Sequence, residues 1–143
     1  MLKVFLDTNI VLDFLGEREP FYEPVAKLLT LADKKKIMLF TSPTSIATTY
    51  YVLARFESKK AVLEKIRKFK LLCGISVIDD HVVDKSINSG FDDFEDGLQY
   101  YSALATACEV IITRNEKDFK HASIPVMNAV SYLSIWQKKA GFF

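Results

Sequence analysis

Short apolar segments alternate with amphipathic helical segments along almost the whole chain, and this alternation restricts the possible folds most. Five segments rich in β-branched and other apolar residues predict strands near residues 2–6, 37–41, 75–78, 109–113 and 125–128. Between them, apolar residues recur every three or four positions, which predicts helices. Apolar strands that alternate with helices are typical of a parallel sheet covered on both faces. The sequence therefore predicts an α/β fold with a mainly parallel, five-stranded central sheet.

Length, charge and cysteine content narrow the class of protein. The 143 residues predict a single domain over 1–137 with a C-terminal tail, 138–143. A formal net charge of +1 excludes a protein that coats DNA through an overall basic surface. No apolar run reaches the ~18 residues that a membrane-spanning helix needs. Cys73 and Cys108 are far apart in apolar segments, which predicts reduced core thiols and a cytoplasmic protein.

Carboxylates follow the predicted strands or begin the predicted helices. Asp7 directly follows the first strand, and Asp118 follows the fourth. A denser acidic group begins the long helix predicted over 94–108: Asp92, Asp93, Glu95 and Asp96. Parallel sheets bind ligands at the carboxyl ends of their strands, and clustered carboxylates need a counter-charge that hard divalent cations supply. The pattern predicts a Mg²⁺ or Mn²⁺ site, and such a metal can activate water and stabilise a phosphodiester transition state.

The same carboxylates also fit a purely structural interpretation. Asp7 is suitable as the N-cap of the first helix, and Asp118 as the cap or end of a short turn. Two acidic pairs at the start of the long helix fit the capping-box pattern: Asp92 with Glu95, and Asp93 with Asp96. Asp13 fits a polar or supporting position better than a ligand position. Both interpretations stay open, because spacing in sequence does not show which groups converge in space.

Other common chemistries lack their sequence signals. The chain has no GxxxxGK[ST] phosphate loop, no GxGxxG after a strand and no GxSxG elbow. His81 and His121 have no partner at a metal-binding spacing. A phosphatase of the haloacid type would need DxD after the first strand, where this chain has Asp7-Thr8-Asn9.

Four segments together resemble a PIN domain: "FLDTNIVLDFL", "FTSPTSIATTYYVLAR", "DFEDGLQYYSALATACEVIITRNEKDF" and "IPVMNAVSYL". The resemblance covers about residues 3–133. It implies a three-layer α/β/α sandwich and Mg²⁺- or Mn²⁺-dependent ribonuclease activity. Many small bacterial members of the family are the toxins of type II toxin–antitoxin pairs, the VapC-like proteins, which usually form homodimers. The resemblance therefore implies an RNA substrate, a small antitoxin as partner and a homodimer.

The resemblance also assigns the site, with two departures from the family pattern. Asp7 and Asp96 match metal-site acids of the family. Asn115 stands at the last acidic position, so that Asp118 is expected to substitute as the third catalytic and metal-binding acid. Thr48 occupies the place of a further acid, and a hydroxyl is a poorer ligand for a hard dication. The supporting residues are predicted to be Thr8, Asn9, Thr48, Asp93, Thr113 and Asn115.

Two functions remain open on the sequence alone. One is an active, metal-dependent endoribonuclease, the toxin of a type II pair, with a metal held by fewer acids and more waters. The other is a catalytically weak or inactive PIN-fold protein that binds RNA or a protein partner. In either case, the basic residues near the fourth strand, Arg114 and Lys117, are predicted to contact substrate phosphates.

Overall fold

A computed structural model describes residues 1–140, with side chains through Lys139. Five strands and seven α-helices lie within this part of the chain. The strands are β1 (Leu2–Leu6), β2 (Ile37–Thr41), β3 (Cys73–Ile75), β4 (Val110–Ile112) and β5 (Val126–Met127). The helices are α1 (Thr8–Leu15), α2 (Tyr22–Asp33), α3 (Pro43–Leu53), α4 (Lys59–Phe69), α5 (Asp80–Ile87), α6 (Phe94–Ala105) and α7 (Ala129–Ala140), with a 3₁₀ helix at Glu116–Phe119.

The strands form one parallel sheet in the order β3-β2-β1-β4-β5. β1 is central, and its last three residues are fully buried, as its unbroken apolar run requires. The strand order reverses around β1, because β2 pairs on one side of it and β4 on the other. This reversal is the switch point at which parallel sheets of this kind bind ligands, and Asp7 lies directly at it.

The core has two parts, one on each face of the sheet. Val4 and Leu6 face a large apolar cluster that includes residues of α1, α2, α3, α4 and α7. Phe5 points the other way, into a smaller cluster with α6 and the 3₁₀ helix. Phe5 and its two neighbours face opposite sides because successive side chains of a strand point to opposite faces of the sheet. The predicted three-layer α/β/α sandwich is confirmed. No helix within residues 1–140 is long and apolar enough to cross a membrane.

The third strand lies earlier than the sequence predicts. The prediction placed it near 75–78, whereas β3 ends at Ile75. The N–H of Ser76 still donates to the carbonyl of Thr41, at 2.8 Å. The backbone of Val77 bonds instead to two hydroxyls: its N–H donates to Thr106, the C-cap residue of α6, and its carbonyl accepts from Ser102 within α6. Side chains of the covering helix therefore replace the strand pairing at this point.

The C-terminal end of α6 and the tail also differ from expectation. The long helix was predicted to reach Cys108, but α6 ends at Ala105 because Ala107 has a left-handed backbone, with φ of 62°. The predicted tail, 138–143, overlaps the last turn of α7 at residues 138–140. Its remaining residues, 141–143, lie outside the described part of the chain.

Candidate metal-dependent active site

Asp7 is the centre of a buried polar network at the carboxyl end of β1. It is the N-cap of α1, and its Oδ1 accepts a hydrogen bond from the N–H of Thr8 at 2.8 Å. The same oxygen accepts from Nε2 of Gln99 at 3.0 Å, and Oδ2 accepts from the hydroxyl of Thr113 at 2.8 Å. Asp7 therefore is a helix cap, as the structural interpretation proposed, but it also receives bonds from β4 and α6.

Thr113 is held in place by two asparagines, Asn9 through its side-chain amide and Asn115 through its backbone N–H. Its Oγ1 accepts from Nδ2 of Asn9 at 3.3 Å and from the N–H of Asn115 at 3.1 Å. Because these groups donate to Thr113, its own hydroxyl proton is directed to Asp7. Asn9, Thr113 and Asn115 thus form a chain of bonds that orients Oδ2 of Asp7.

Gln99 is a site residue that the sequence reasoning missed. It is 1% exposed, and its Nε2 lies within hydrogen-bond distance of Asp7, of Ser45 Oγ (2.7 Å) and of Thr8 Oγ1 (3.2 Å). Its Oε1 accepts a hydrogen bond from the hydroxyl of Ser42. The available signal was its spacing, since Gln99 lies three residues after Asp96 and therefore on the same face of the helix.

α3 contributes hydroxyls to this network, and no acid. Ser42 caps the helix by accepting from the N–H of Ser45, and Ser45 Oγ lies 2.8 Å from Thr8 Oγ1. Thr48, which the resemblance placed at a family acid position, is half-buried three residues after Ser45. Its neighbour Thr49 is fully buried, with a hydroxyl that has no hydrogen-bond partner within the described residues. The side of the site formed by α3 is therefore polar but uncharged.

The acids at the start of α6 lie close enough to Asp7 to interact with it electrostatically. Burial and the negative charges of Asp7, Asp93, Asp118 and Glu95 raise the pKa of Asp96 from about 3.8 to about 7. Burial, Asp93 and Asp7 also raise the pKa of Glu95. Asp93 itself is the N-cap of α6, accepting from the N–H of Glu95 at 2.8 Å. The site thus carries an excess of negative charge, which a divalent cation would neutralise.

The carboxylates are not drawn together into a preformed ligand set. Within the described residues, no three acidic, histidine or cysteine side chains are close enough together to hold a metal ion. Asp118 lies in the exposed 3₁₀ helix, where the N–H of Asp118 donates to the carbonyl of Asn115 at 3.0 Å. The metal-binding roles of Asp7, Asp96 and Asp118 stay predictions.

Asp13 and Arg114 form a second charged group beside the network. Asp13 is fully buried, and its carboxylate accepts from Nε (2.7 Å) and Nη2 (3.1 Å) of Arg114. Nε of Arg18 lies 3.3 Å from the same carboxylate. The interpretation of Asp13 as a supporting residue agrees with this pairing. Two nitrogens of Arg114 are therefore bonded to Asp13, whereas Lys117 is exposed on the 3₁₀ helix. The contacts of Arg114 and Lys117 with substrate phosphates stay predictions.

The raised pKa of Asp96 predicts a specific pH dependence of stability. Because the folded-state pKa lies above the unfolded value, the stabilisation linked to this proton is complete below about pH 4 and is lost as the pH rises through 7. In metal-free buffer, Asp96→Asn should therefore raise the melting temperature relative to the parent progressively between pH 4 and pH 8. Thermal melts in EDTA test this, with Asp84→Asn on exposed α5 as control. A difference that is constant with pH would contradict the assignment.

Comparison with known proteins places the chain in a family. The PIN domain sequence family matches residues 3–117. The chain belongs to the PIN domain family. Ribonuclease VapC1 of Aquifex aeolicus (strain VF5) is 31% identical over 139 residues, an alignment that covers 94% of this chain and 95% of that protein. The family resemblance drawn from the sequence is thereby confirmed.

Solved structures share the PIN fold with this chain at low sequence identity. The VapBC2 structure from Rickettsia felis, bound to a DNA fragment from their promoter, matches with a TM-score of 0.66 and 18% identity, over 89% of this chain and 98% of that one. Mycobacterium tuberculosis VapC20, a toxin that cleaves the sarcin-ricin loop, matches with a TM-score of 0.65 and 10% identity, over 82% of this chain and 94% of that one. These likenesses confirm the α/β/α architecture of the PIN domain.

Proposed function

We propose that this protein is a metal-dependent endoribonuclease that hydrolyses RNA phosphodiester bonds. The observation that carries the proposal is the 31% identity to a relative named a ribonuclease, over 94% of the chain. The Asp7 network supports it, because a buried, hydrogen-bonded carboxylate lies at the switch point of the sheet with further acids around it.

The residues present fit a hard divalent cation. Their side-chain donors are carboxylate oxygens, and burial together with the neighbouring carboxylates raises the pKa of Asp96, which a bound cation would oppose. Asp7, Asp96 and Asp118 would hold Mg²⁺ or Mn²⁺, which when bound supplies the positive charge that activates water and stabilises the phosphodiester transition state. Thr113 and Gln99 fix the Asp7 carboxylate, since each donates to one of its oxygens.

Cleavage of a mixed RNA by the purified protein tests the proposal. Activity is expected with Mn²⁺ and Mg²⁺, none with EDTA, and higher activity with Mn²⁺ at limiting metal concentration because of its place in the divalent series. Cleavage should also rise with pH towards neutrality, since Asp96 must lose its proton to bind the metal. Cleavage that persists in EDTA would mean that a different chemistry or a contaminant is responsible.

The same relatives support a proposal for the cellular role. The protein is proposed to act as the cytoplasmic toxin of a type II pair, bound by a small antitoxin, as a homodimer. The VapBC2 complex of Rickettsia felis supports the antitoxin, because a protein of the same fold is found there. Exposed Tyr51 near the end of α3 is available for a dimer interface. Co-purification of a small partner protein from the native host tests the antitoxin, and measurement of the molecular mass of the purified protein tests the homodimer.

One observation favours the second candidate function, a catalytically weak protein that binds RNA. No ready set of three metal ligands exists within residues 1–139, and α3 supplies hydroxyls where the resemblance expects an acid. The two candidates predict different Mn²⁺ affinities. An active ribonuclease must hold the metal ion, whereas a protein that only binds RNA can have a weak metal site.

Thr48→Glu distinguishes them. The added carboxylate would stand where the family acid is expected, so Mn²⁺ should bind on the order of 10-fold more tightly and RNA cleavage should rise. Titration calorimetry and the cleavage assay measure the two effects. Thr48→Gln is the matched control, since it adds similar bulk without charge. If the parent is inactive with Mn²⁺ and Thr48→Glu changes neither quantity, the RNA-binding alternative becomes the better account.

A further inference from the structure

A cleft of about 580 Å³ lies beside the Asp7 network and has no assigned role. We call it the Phe21 cleft. Its walls come from α1 (Ile10 and Asp13), from residues 20–25 and from the start of α7 at 128–131, with Arg114 at one side. Its volume is in the range of small-molecule sites. The lining is mainly apolar around a few polar groups, which is the usual composition of a site for an aromatic ligand with a charged end.

The charged end of the cleft is the guanidinium of Arg114. Asp13 binds two of its nitrogens, and Arg114 lies with its guanidinium carbon 4.0 Å from the ring centre of Phe21. The third nitrogen, Nη1, makes no hydrogen bond within the described residues. Arg18 also pairs with Asp13, so that one buried carboxylate is shared between two guanidinium groups, and Arg114 keeps Nη1 for a further acceptor in the cleft. An anion is therefore the complementary ligand.

The cleft and the Asp7 network are joined by consecutive residues of the same elements. Thr113 donates to Asp7, and the next residue, Arg114, enters the cleft. On α1, Asp7 is the N-cap and Ile10 lines the cleft, about one helical turn of roughly 5 Å further along. A strand of nucleic acid that crosses the carboxyl end of β1 and β4 would therefore pass from the acids into the cleft.

We propose that the Phe21 cleft binds one nucleotide of a single-stranded RNA substrate, next to the phosphate at the Asp7 network. The base stacks on the part of the Phe21 ring that Arg114 leaves uncovered, since Phe21 is 39% exposed, and a phosphate meets Arg114. An apolar peptide side chain would offer no acceptor to Nη1 of Arg114, whereas a nucleotide offers a phosphate to Nη1 and a base to the apolar walls. The inference rests on the proposed ribonuclease function because it takes RNA as the substrate.

The test is RNA binding without metal, measured by fluorescence anisotropy with a labelled, mixed-sequence single-stranded RNA in EDTA. Phe21→Leu should weaken binding about 5-fold to 100-fold, because stacking of a base is lost. Phe21→Tyr keeps an aromatic ring and should bind like the parent. Phe56→Leu removes an aromatic side chain that is 82% exposed on the α3–α4 connection, and should have no effect. Melting temperatures establish that each variant is folded at the assay temperature.

A second variant tests the phosphate contact independently. Arg114→Gln should reduce the slope of log affinity against log salt concentration by about 1, as expected when one phosphate contact is lost. Because this change leaves Asp13 with Arg18 alone, binding is measured well below the melting temperature of the variant. An unchanged salt slope would overturn the assignment of Arg114 to a phosphate.

The outcomes separate this inference from the proposed function. If Phe21→Leu binds RNA as well as the parent does, while the parent cleaves RNA with Mn²⁺, the cleft is not the nucleotide site and the ribonuclease proposal stands. If Phe21→Leu and Arg114→Gln bind weakly but the parent never cleaves, the cleft is supported and catalysis is not. A parent that neither binds nor cleaves RNA overturns both.

Discussion

Replacing Asp7 with asparagine is expected to reduce metal-dependent RNA cleavage by more than about 100-fold. Removal of a residue that only supports a metal ligand already costs up to about 100-fold, and Asp7 is proposed to be a ligand itself. The change removes the negative charge at the centre of the site and one oxygen that can bind a cation. The shape is almost constant, so the core of β1 and α1 should not change.

The stability of Asp7→Asn is the control for this result. The side-chain oxygen of the new asparagine can still accept hydrogen bonds from Thr8 and Gln99. Its NH₂ group would stand where Oδ2 of Asp7 now accepts from Thr113. We expect the melting temperature to change by less than about 5 °C. Asp33→Asn, at the exposed end of α2, is the matched variant and should cleave RNA like the parent. Lost cleavage together with a collapse in melting temperature would mean that Asp7 acts only as a structural cap.

The largest effect on stability is expected at Gln99. Gln99→Leu keeps a similar volume but removes the amide that bonds Asp7, Ser45 and Ser42. Each buried polar group left without a partner costs about 1–3 kcal/mol. Since Ser42 and Ser45 can still bond each other, we expect a total loss of about 2–4 kcal/mol, or about 10 °C in melting temperature.

Urea unfolding measures this loss, and the chain offers a close control. Gln137 is exposed on α7, and Gln137→Leu should change the free energy of unfolding by less than about 0.5 kcal/mol. Equal effects of the two substitutions would mean that the buried network around Gln99 contributes nothing to stability. A stable Gln99→Leu with poor Mn²⁺ binding would instead assign Gln99 to orienting Asp7 alone.

The position of Asp7 was predictable, because a buried strand that ends in a carboxylate places it at the edge of the sheet. Capping was also predictable, since Asp7 and Asp93 stand at capping positions in the sequence and do cap α1 and α6. The early end of β3 was not predictable. It depends on the hydroxyls of Ser102 and Thr106, which reach the backbone of residue 77 from far along the chain.

The Asp13–Arg114 pair shows the same limit at the site itself. The two residues are 101 positions apart, and nothing in the local pattern of either one indicates the other. The sequence predicted that Arg114 lies near the site because it follows β4. That Asp13 is the residue that fixes its guanidinium is seen only in the folded structure. Gln99 was missed for a related reason, as a single amide among the apolar residues of α6 gives no chemical signal by itself.

The most direct measurement of the metal site is an anomalous difference map from crystals soaked in Mn²⁺. The account predicts a peak within bonding distance of an Asp7 carboxylate oxygen and of at least one more carboxylate, that of Asp96 or Asp118. The same soak of Asp7→Asn should lack the peak. A peak elsewhere on the protein and none at Asp7, from crystals of a preparation that cleaves RNA with Mn²⁺, would contradict the proposed active site.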